Sequence, residues 1–437
     1  MTRISWRSTV RLRFPSLPAL CSTGAVALFV IASDAAAQWP QWGGPRRDFT
    51  ADAAKLATQW PDGGPKKLWS RELGDGYAAI CVDDGKLYTL YRLDQKADEE
   101  KGVKAVADEV VVCLDAATGR TIWEHRYEAP LTKDMGMEFG PGPHSTPLIV
   151  GDRLVTIGCT MIMHCLDRKS GKPIWSHDFA KEYKAEVIGR GYAASPIAWK
   201  NTIIVPVGGK GQAVVAFDVA DGRIAWKKHD FQITHASPLL INVDGEEQLV
   251  MFMGEEVVGL RPADGELLWS HPHKTQYGAN ICTPVWGRHN ILFISSAYGM
   301  GSRGIQLSRK DGKTTATELW YNAKMKIHFS NAVGVGDRVF GSSGDFGPCF
   351  LAAVNIKTGE FAWKERGIKK SNLVYADGKL VVVAEDGMIA LVQPGDSGAT
   401  ILAKATLLEN NAWTVPTIVG NTLYIRDRKH VMALDLG

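Results

Sequence analysis

Short apolar runs separated by turn residues extend along nearly the whole chain after residue 66. Leu148-Ile149-Val150 and Leu154-Val155, for example, flank the turn pair Gly151-Asp152. Apolar runs of strand length, broken by turn residues about every 8 to 12 positions, are typical of all-β domains. No convincing 3.6-residue helical period follows the N-terminal residues. The pattern predicts an all-β protein.

One short motif recurs and defines a repeat. It has a small residue, an apolar residue and Asp or a substitute, then Gly four residues on and Trp four further, as at Cys113-Leu114-Asp115, Gly119 and Trp123. The carboxylate can cap a turn in which Gly takes a positive φ, and the indole can fill the wedge between neighbouring sheets. The predicted structural, blade-docking tryptophans are Trp69, Trp123, Trp175, Trp226, Trp269, Trp320 and Trp363.

These tryptophans are 54, 52, 51, 43, 51 and 43 residues apart, which fits one four-stranded propeller blade per repeat. The repeats predict an eight-bladed β-propeller of antiparallel blades over residues 67–437, with a seven-bladed ring as the alternative. The eighth blade lacks its outer strand, and we expect Lys67-Leu68-Trp69 to supply it and so to close the ring. The blades begin near Tyr77, His144, Tyr192, His235, Asn280, His328, Ser371 and Ala412.

The first residues have the composition of an export signal. Four arginines precede an apolar stretch from Leu17 to Ile31, and Ala35-Ala36-Ala37 supplies small residues for cleavage. We therefore predict a signal peptide at residues 1–37 and a periplasmic or secreted protein. The alternative is an uncleaved membrane anchor, for which the apolar stretch is short. Residues 38–66 are predicted to strap onto the propeller through Trp39, Trp42 and Trp60.

The charge balance argues against a nucleic-acid partner. Residues 1–37 hold four Arg and one Asp, so without them the 50 basic and 47 acidic residues of the whole chain become equal in number. No basic stripe remains to neutralise a phosphate backbone. We expect a monomer with no integral membrane segment after cleavage.

The block from Asp115 to Trp123 resembles the tryptophan-docking motif of the pyrroloquinoline quinone-like propellers. The resemblance covers residues 38–437, with at least six copies in phase, and Trp39-Pro40-Gln41-Trp42-Gly43-Gly44-Pro45 resembles the start of exported bacterial relatives. It implies one of two functions. One is a quinoprotein dehydrogenase that oxidises alcohols or sugars, and the other is a binding scaffold like the BamB-type accessory subunit of outer-membrane protein assembly.

The dehydrogenase branch needs features that the sequence lacks. Its quinone cofactor (PQQ) would lie over a Ca²⁺ held by Glu, Asn and Asp oxygens, beside an Asp base. The adjacent cysteine pair usual in that branch and a C-x-x-C-H haem segment are missing from the sequence. We therefore predict a non-catalytic, extracytoplasmic, BamB-like scaffold that binds an envelope protein or a small ligand, with no cofactor. The alternative is a PQQ-dependent alcohol or sugar dehydrogenase with a degenerate site.

Polar and aromatic residues precede the innermost strand of several blades, where a Ser/Thr-Pro pair such as Thr146-Pro147 opens the strand. In a ring they would converge on one mouth of the channel, which predicts a binding site. The alternative is that they bind one another and channel water. The three histidines lack metal-ligand spacing, so neither a metal nor a catalytic residue is predicted. The candidate ligand- or partner-binding residues are His144, Tyr192, His235, Asn280, His328, Asp345 and Trp413.

Overall fold

The computed structural model describes residues 38–437 except residues 54, 96–105, 134, 137, 187 and 346. The predicted signal peptide therefore lies outside the described residues. Strands dominate the described ranges, together with one short helix, α1 (Phe179–Tyr183), and one 3₁₀ turn (Arg288–Asn290). No helix in these ranges is long and apolar enough to cross a membrane.

The N-terminal part of the described chain contributes β1 and β2, and blades 1 to 4 follow. Each of these blades is a sheet of four consecutive strands with antiparallel neighbours. The strands are β1 (Thr50–Ala51) and β2 (Lys66–Glu72); in blade 1, β3 (Cys81–Asp83), β4 (Lys86–Gln95), β5 (Val106–Asp115) and β6 (Thr121–Glu128); in blade 2, β7 (Leu148–Val150), β8 (Arg153–Ile157), β9 (Ile162–Asp167) and β10 (Pro173–Asp178); in blade 3, β11 (Ile197–Trp199), β12 (Thr202–Pro206), β13 (Val214–Asp218) and β14 (Ile224–Lys228); and in blade 4, β15 (Leu239–Val243), β16 (Glu246–Phe252), β17 (Glu256–Leu260) and β18 (Leu267–Pro272).

Blades 5 to 8 complete the ring, which confirms the predicted eight-bladed, all-β propeller. Their strands are, in blade 5, β19 (Val285–Trp286), β20 (Ile291–Ser296), β21 (Gly301–Lys310) and β22 (Lys313–Asn322); in blade 6, β23 (Ala332–Val335), β24 (Arg338–Ser343), β25 (Phe350–Asn355) and β26 (Phe361–Glu365); in blade 7, β27 (Ser371–Ala376), β28 (Lys379–Ala384), β29 (Met388–Pro394) and β30 (Ala399–Thr406); and in blade 8, β31 (Thr417–Val419), β32 (Thr422–Arg426) and β33 (His430–Asp435).

The outer strand of blade 8 comes from the other end of the described chain. β2 pairs antiparallel with β33, from Lys66 opposite Asp435 to Glu72 opposite His430. The predicted closure by Lys67-Leu68-Trp69 is therefore confirmed. A ring closed in this way leaves no inter-blade gap at the seam, because the first and last strands of the propeller share one sheet.

Burial along the strands follows their position in the blade. All six residues of β28 are buried, because this strand packs against a neighbouring blade on each face. The outer strand β6 instead alternates between exposed and partly buried residues, as expected where one face meets water. Middle strands therefore read as continuous apolar runs, which explains the pattern of the sequence.

At most junctions an indole of one blade packs on a glycine of the next blade. The ring of Trp123 lies against Gly171 so closely that a Cβ there would come within 2.4 Å of it, and Gly171 has a φ of +72°. The indole N–H also donates to a backbone oxygen of the next blade in six cases: Trp69 to Ala116 (3.0 Å), Trp123 to Arg168 (3.2 Å), Trp175 to Val219 (3.1 Å), Trp226 to Pro262 (3.1 Å), Trp320 to Ile356 (2.7 Å) and Trp363 to Gly395 (3.0 Å).

Within the described residues, two blade junctions lack the bond from an indole N–H to a backbone oxygen of the next blade, and each has a reason. Trp269 faces blade 5, whose outer hairpin is extended, and donates instead to Oε1 of Gln248 (2.7 Å), whose Nε2 donates to Thr314 of blade 5 (2.7 Å). In blade 7, Ala403 occupies the outer-strand position that Trp123 holds in blade 1. Blade 8 has no hairpin between β33 and β2 on which an indole could dock.

An N-terminal strap, residues 38–53, crosses the end of the channel where the innermost strands enter their first turns. It meets the ends of these strands in blades 1, 2, 3 and 7, and its β1 runs parallel to the end of β27. Backbone and side-chain hydrogen bonds hold it: Trp39 N to Val82 O (2.8 Å), Ile149 N to Pro40 O (2.8 Å), Arg47 Nη2 to Ala198 O (3.0 Å), Trp42 Nε1 to Thr283 Oγ1 (2.8 Å) and Tyr375 N to Phe49 O (3.0 Å). The strap therefore closes this end of the channel.

Removing one docking indole should strongly destabilise the ring. Trp226→Ala deletes a buried ring that packs on Gly265, and we expect a loss of about 3–5 kcal/mol in the free energy of unfolding, measured by urea denaturation. Trp226→Phe, which keeps a ring but loses the bond to Pro262, should cost less. Leu267→Ala, at an exposed side chain, is the control and should change stability by no more than about 0.5 kcal/mol. A near-neutral Trp226→Ala would contradict the docking role.

Candidate functional site

The open end of the channel, opposite the strap, forms a cavity of about 700 Å³, here termed the cup. It lies where the innermost strands begin, so residues from most blades reach it. A cavity of this size is within the range of sites for drug-sized ligands. Its lining includes Trp42, Tyr77, Phe139, His144, Arg190, His235, Tyr277, Tyr298, His328, Phe329, Lys370, Glu385 and Trp413.

Four of the seven candidate residues lie together in this lining. They differ from two of the other candidates in their distance along the sequence from the start of the innermost strand. His144, His235, His328 and Trp413 line the cup, each two residues before the Ser, Thr or Val that opens its innermost strand. Ala193 and Ile281 hold that same position in blades 3 and 5 and also line the cup. Because consecutive side chains of strand-like backbone point to opposite sides, a shift of one residue turns a side chain away from the channel.

Tyr192 and Asn280 are shifted in this way, three residues before the Ser or Thr. The fully buried Tyr192 donates its hydroxyl hydrogen to the backbone oxygen of Pro206 (2.9 Å). Asn280 is also fully buried, donating to the backbone oxygen of Met253 (2.6 Å) and accepting from the hydroxyl of Ser296 (2.6 Å). The Tyr192 bond lies within blade 3, whereas Asn280 links blade 5 to blade 4, and neither side chain is part of the cup lining.

Asp345, the seventh candidate, lies near the rim beyond the lining. Its Oδ2 accepts a hydrogen bond from the backbone N–H of Gly299 (3.2 Å). Its negative charge adds to the burial that raises the pKa of Tyr298 and partly offsets the burial that lowers the pKa of His328. The Asp345 carboxylate therefore affects the cup electrostatically without lining it.

The Ser and Thr residues that open the innermost strands link successive blades. Thr146 N donates to Ser195 Oγ (3.0 Å) and Ser195 N donates to Ser237 Oγ (2.9 Å), which joins blades 2, 3 and 4. At the closing seam, Thr414 Oγ1 donates to Tyr77 O (3.0 Å). These hydroxyl groups therefore hold successive blades of the propeller together.

Trp413 is the centre of an aromatic cluster in the cup. Its ring centroid lies 5.3 Å from Tyr77, 5.2 Å from Phe139 and 4.6 Å from Phe329. Tyr77 in turn stacks on His144 at 5.6 Å, with the ring planes 11° apart. Stacked and tilted pairs at these distances stabilise one another and leave flat apolar faces toward the cavity.

The histidines of the cup are neutral at pH 7. Burial lowers the pKa of both His235 and His328 to about 4, and it lowers the pKa of His144 as well, because a desolvated imidazolium is disfavoured. His144 Nε2 lies 2.9 Å from the backbone oxygen of Arg190, which can only accept, so this nitrogen carries the hydrogen. Burial also raises the pKa of Tyr77 to about 12, which keeps its hydroxyl a donor, here to the backbone oxygen of Phe139.

Charged groups lie at the rim and are largely balanced. Arg190 pairs with Glu138 (2.5 Å), which lowers the pKa of that carboxyl, and its guanidinium lies 5.1 Å from the Phe139 ring centroid. The ammonium of Lys370 lies 5.4 Å from the Phe329 ring centroid. Glu385 accepts a hydrogen bond from the indole of Trp413 (3.3 Å). The cup is therefore aromatic and close to electrically neutral.

Several residues of the lining are not among the seven predicted site residues. Tyr77 precedes the innermost strand of blade 1 as His144 precedes that of blade 2, and this alignment would have added Tyr77 to the predicted site. Phe139, Arg190 and Lys370 come from connecting loops of unequal length, where no repeat position identifies them. Trp42 was assigned to the strap alone, yet its indole reaches the cavity as the floor.

A quinone cofactor over Ca²⁺ has no suitable donor set in the described lining. Asn331 uses its amide on the backbone of Leu373, as donor at 2.8 Å and as acceptor at 2.8 Å. Glu385 is already bonded to Trp413. Among the described residues, no group of three His, Cys, Asp or Glu side chains could hold a metal ion. The residues present do not fit that group, so we derive no chemistry through it.

The indole-docked, four-stranded blades define the class of protein, an eight-bladed propeller of the pyrroloquinoline quinone-like type. The sequence model of the family described as outer membrane protein assembly factor BamB matches residues 107–365, more than half of the chain. The chain belongs to this family.

Two curated relatives have dehydrogenase names. The quinohemoprotein alcohol dehydrogenase of Comamonas testosteroni is 24% identical over 220 residues, which cover 47% of this chain and 29% of that protein. The quinohemoprotein alcohol dehydrogenase ADH-IIG of Pseudomonas putida is 24% identical over 293 residues, covering 56% and 37%. The matched regions thus span well under half the length of these relatives.

Solved structures from both groups share the fold. BamB from Moraxella catarrhalis superposes with a TM-score of 0.58 at 16% identity, covering 85% of this chain and 99% of that one. The Comamonas testosteroni dehydrogenase superposes with a TM-score of 0.62 at 12% identity, covering 93% and 82%. At these identities the likeness concerns the fold alone.

The neutral histidines predict a pH dependence of stability. An unfolded His binds its proton near pH 6.5, whereas folded His235 does so only near pH 4, so the unfolded state binds more protons in between. The free energy of unfolding, measured by urea denaturation, should therefore decrease as the pH is lowered from about 7 to about 5. His235→Asn should make that decrease smaller. The exposed His289, paired with Asp337, is the control, and His289→Asn should leave most of the decrease intact. Equal pH slopes for wild type and His235→Asn would contradict the neutral state of His235.

Proposed function

We propose that this protein is an extracytoplasmic, non-catalytic scaffold that binds a partner protein or a small ligand at the cup. The observation that carries the proposal is the state of the polar groups in the lining. Tyr77, His144 and Trp413 each already form a hydrogen bond with another group of the protein. The apolar ring faces that remain favour binding, whereas catalysis would need an acid–base pair directed at a substrate.

Export is the second component of the proposal. It is supported by the basic and apolar character of residues 1–37 and by their small-residue cleavage site. Membership of the BamB family supports a role in assembly of envelope proteins. A rim built of loops from several blades offers surface for such a partner.

A quinone-dependent alcohol dehydrogenase is the second candidate, favoured by the names of the two curated relatives. The donor set of the cup argues against it, since Asn331 and Glu385 are bonded within the protein. Nucleophilic thiols are also disfavoured, because burial raises the pKa of Cys282 to about 12 and that of Cys159 well above its ordinary value.

Site-directed photo-cross-linking tests the scaffold function. A photoreactive benzoylphenylalanine at Tyr277, on the cup rim, should cross-link to a discrete envelope protein identified by mass spectrometry. The same group at Tyr321, also an exposed tyrosine, on the outer strand β22, is the control and should not give that product. Identical product patterns at both positions would count against a binding site at the cup.

The dehydrogenase candidate is tested with the cofactor itself. Purified protein with added quinone and Ca²⁺ should show neither a rise of several degrees in Tm nor dye reduction with alcohols or sugars, because the described residues of the cup include no metal donor set. Since a ligand that binds the folded state raises Tm, stabilisation with turnover would replace the scaffold proposal by the dehydrogenase.

A further inference from the structure

A second depression, here termed the groove, opens directly from the cup. It has a volume of about 350 Å³, and Gly136, Arg190, His235 and Tyr277 line both cavities. The groove runs over the loops before blades 2 to 5, away from the channel axis. An aromatic pocket is thus continuous with a smaller trough on the same rim.

The cup presents mainly apolar ring faces, whereas the groove presents polar side chains. In the cup, the polar atoms of Tyr77, His144 and Trp413 are bonded to the protein, so the ring faces are what an occupant meets. The groove adds Glu138 and Gln232, whose side chains supply acceptors and donors at the surface. A suitable occupant therefore has an aromatic or apolar ring beside a polar, hydrogen-bonding stretch.

The groove also allows close approach of a backbone. Gly136, Gly189 and Gly278 all line it, and a Cβ placed on Gly189 would meet nothing within 4 Å. Peptide N–H and C=O groups need this kind of access to reach the paired charges of Arg190 and Glu138 (2.5 Å).

His235 lies at the junction of the cup and the groove. None of the described residues hydrogen-bonds to its ring, in contrast to His144, which is bonded to Arg190. A neutral imidazole in this position can both donate and accept. It is therefore placed to bond the polar edge of a ring in the cup or the peptide group next to it.

The protein already places one chain-borne indole in this channel. Trp42, carried by the strap, enters from the closed end, donates its indole N–H to Thr283 Oγ1 (2.8 Å) and forms part of the cup lining. Its ring is braced edge-on by Phe49 at 5.2 Å. An aromatic side chain on a peptide segment is thus an occupant that the channel accommodates from below.

We propose that the cup and groove together bind an extended peptide segment of a partner protein, with one aromatic side chain in the cup and the neighbouring backbone in the groove. This inference rests on the proposed scaffold function and specifies the partner's chemistry. Anchors of this kind dominate binding energy because a rigid ring buries a large area at low entropic cost.

The test uses short acetylated, fluorescein-labelled Gly/Ser/Thr peptides that differ only in a central Trp, Phe, Leu or Ala, with binding followed by anisotropy. The Trp and Phe peptides should bind about ten- to a hundredfold more tightly than the Ala peptide, since burial of an aromatic side chain has that value. Tyr277→Ala and His235→Ala should each weaken the Trp peptide about tenfold or more. The control Tyr321→Ala, at another exposed tyrosine away from the site, should not weaken it.

Any of three results would overturn the inference. The first is equal affinity for all four peptides, and the second is a loss of binding in Tyr321→Ala as large as in Tyr277→Ala. The third is binding of free N-acetyltryptophanamide as tight as that of the Trp peptide, which would assign the cup to a small ligand. None of these results bears on the cross-linking at Tyr277, so failure of the peptide inference can be told apart from failure of the scaffold function.

Discussion

The packing of an indole against a glycine of the next blade is the contact on which the ring depends. A tight hairpin with a positive-φ glycine leaves a flat surface, and Trp123 covers Gly171 there while its N–H satisfies a backbone oxygen. Where the hairpin is extended, Trp269 uses Gln248 as a relay, and where no hairpin exists, Ala403 replaces the indole. Indole and hairpin are therefore present or absent together.

Closing the ring also determines the character of the channel. β2 completes blade 8, and the strap that precedes it closes the far end of the channel with Trp42. The channel thus becomes a cup with one open mouth. Access is from the side where the connecting loops that precede the blades lie, and Trp42 forms part of the opposite wall of the cup.

The chemistry of the cup follows from which of its polar groups already form hydrogen bonds within the protein. Inter-blade hydrogen bonds use the hydroxyls of Ser195 and Ser237, and lining side chains such as His144 are bonded to loop backbone. Burial keeps His235 and His328 neutral. Among the described lining residues, what remains is a set of ring faces with the unbonded imidazole of His235 at the edge. Asn331 and Glu385 of the lining are likewise bonded within the protein.

The sequence by itself determined the number of blades and the strand that closes them. Both follow from a local turn motif repeated at blade spacing, and a local motif forms the same hairpin in every copy. It also brought His144, His235, His328 and Trp413 to one mouth, because equivalent positions of a ring converge. Only the tertiary structure decided that Tyr192 and Asn280 turn away from the channel, since an offset of one residue reverses the side of a strand. Phe139, Arg190 and Lys370 come from loops without a repeat register, and Trp42 from a strap whose path across the channel depends on contacts with distant blades.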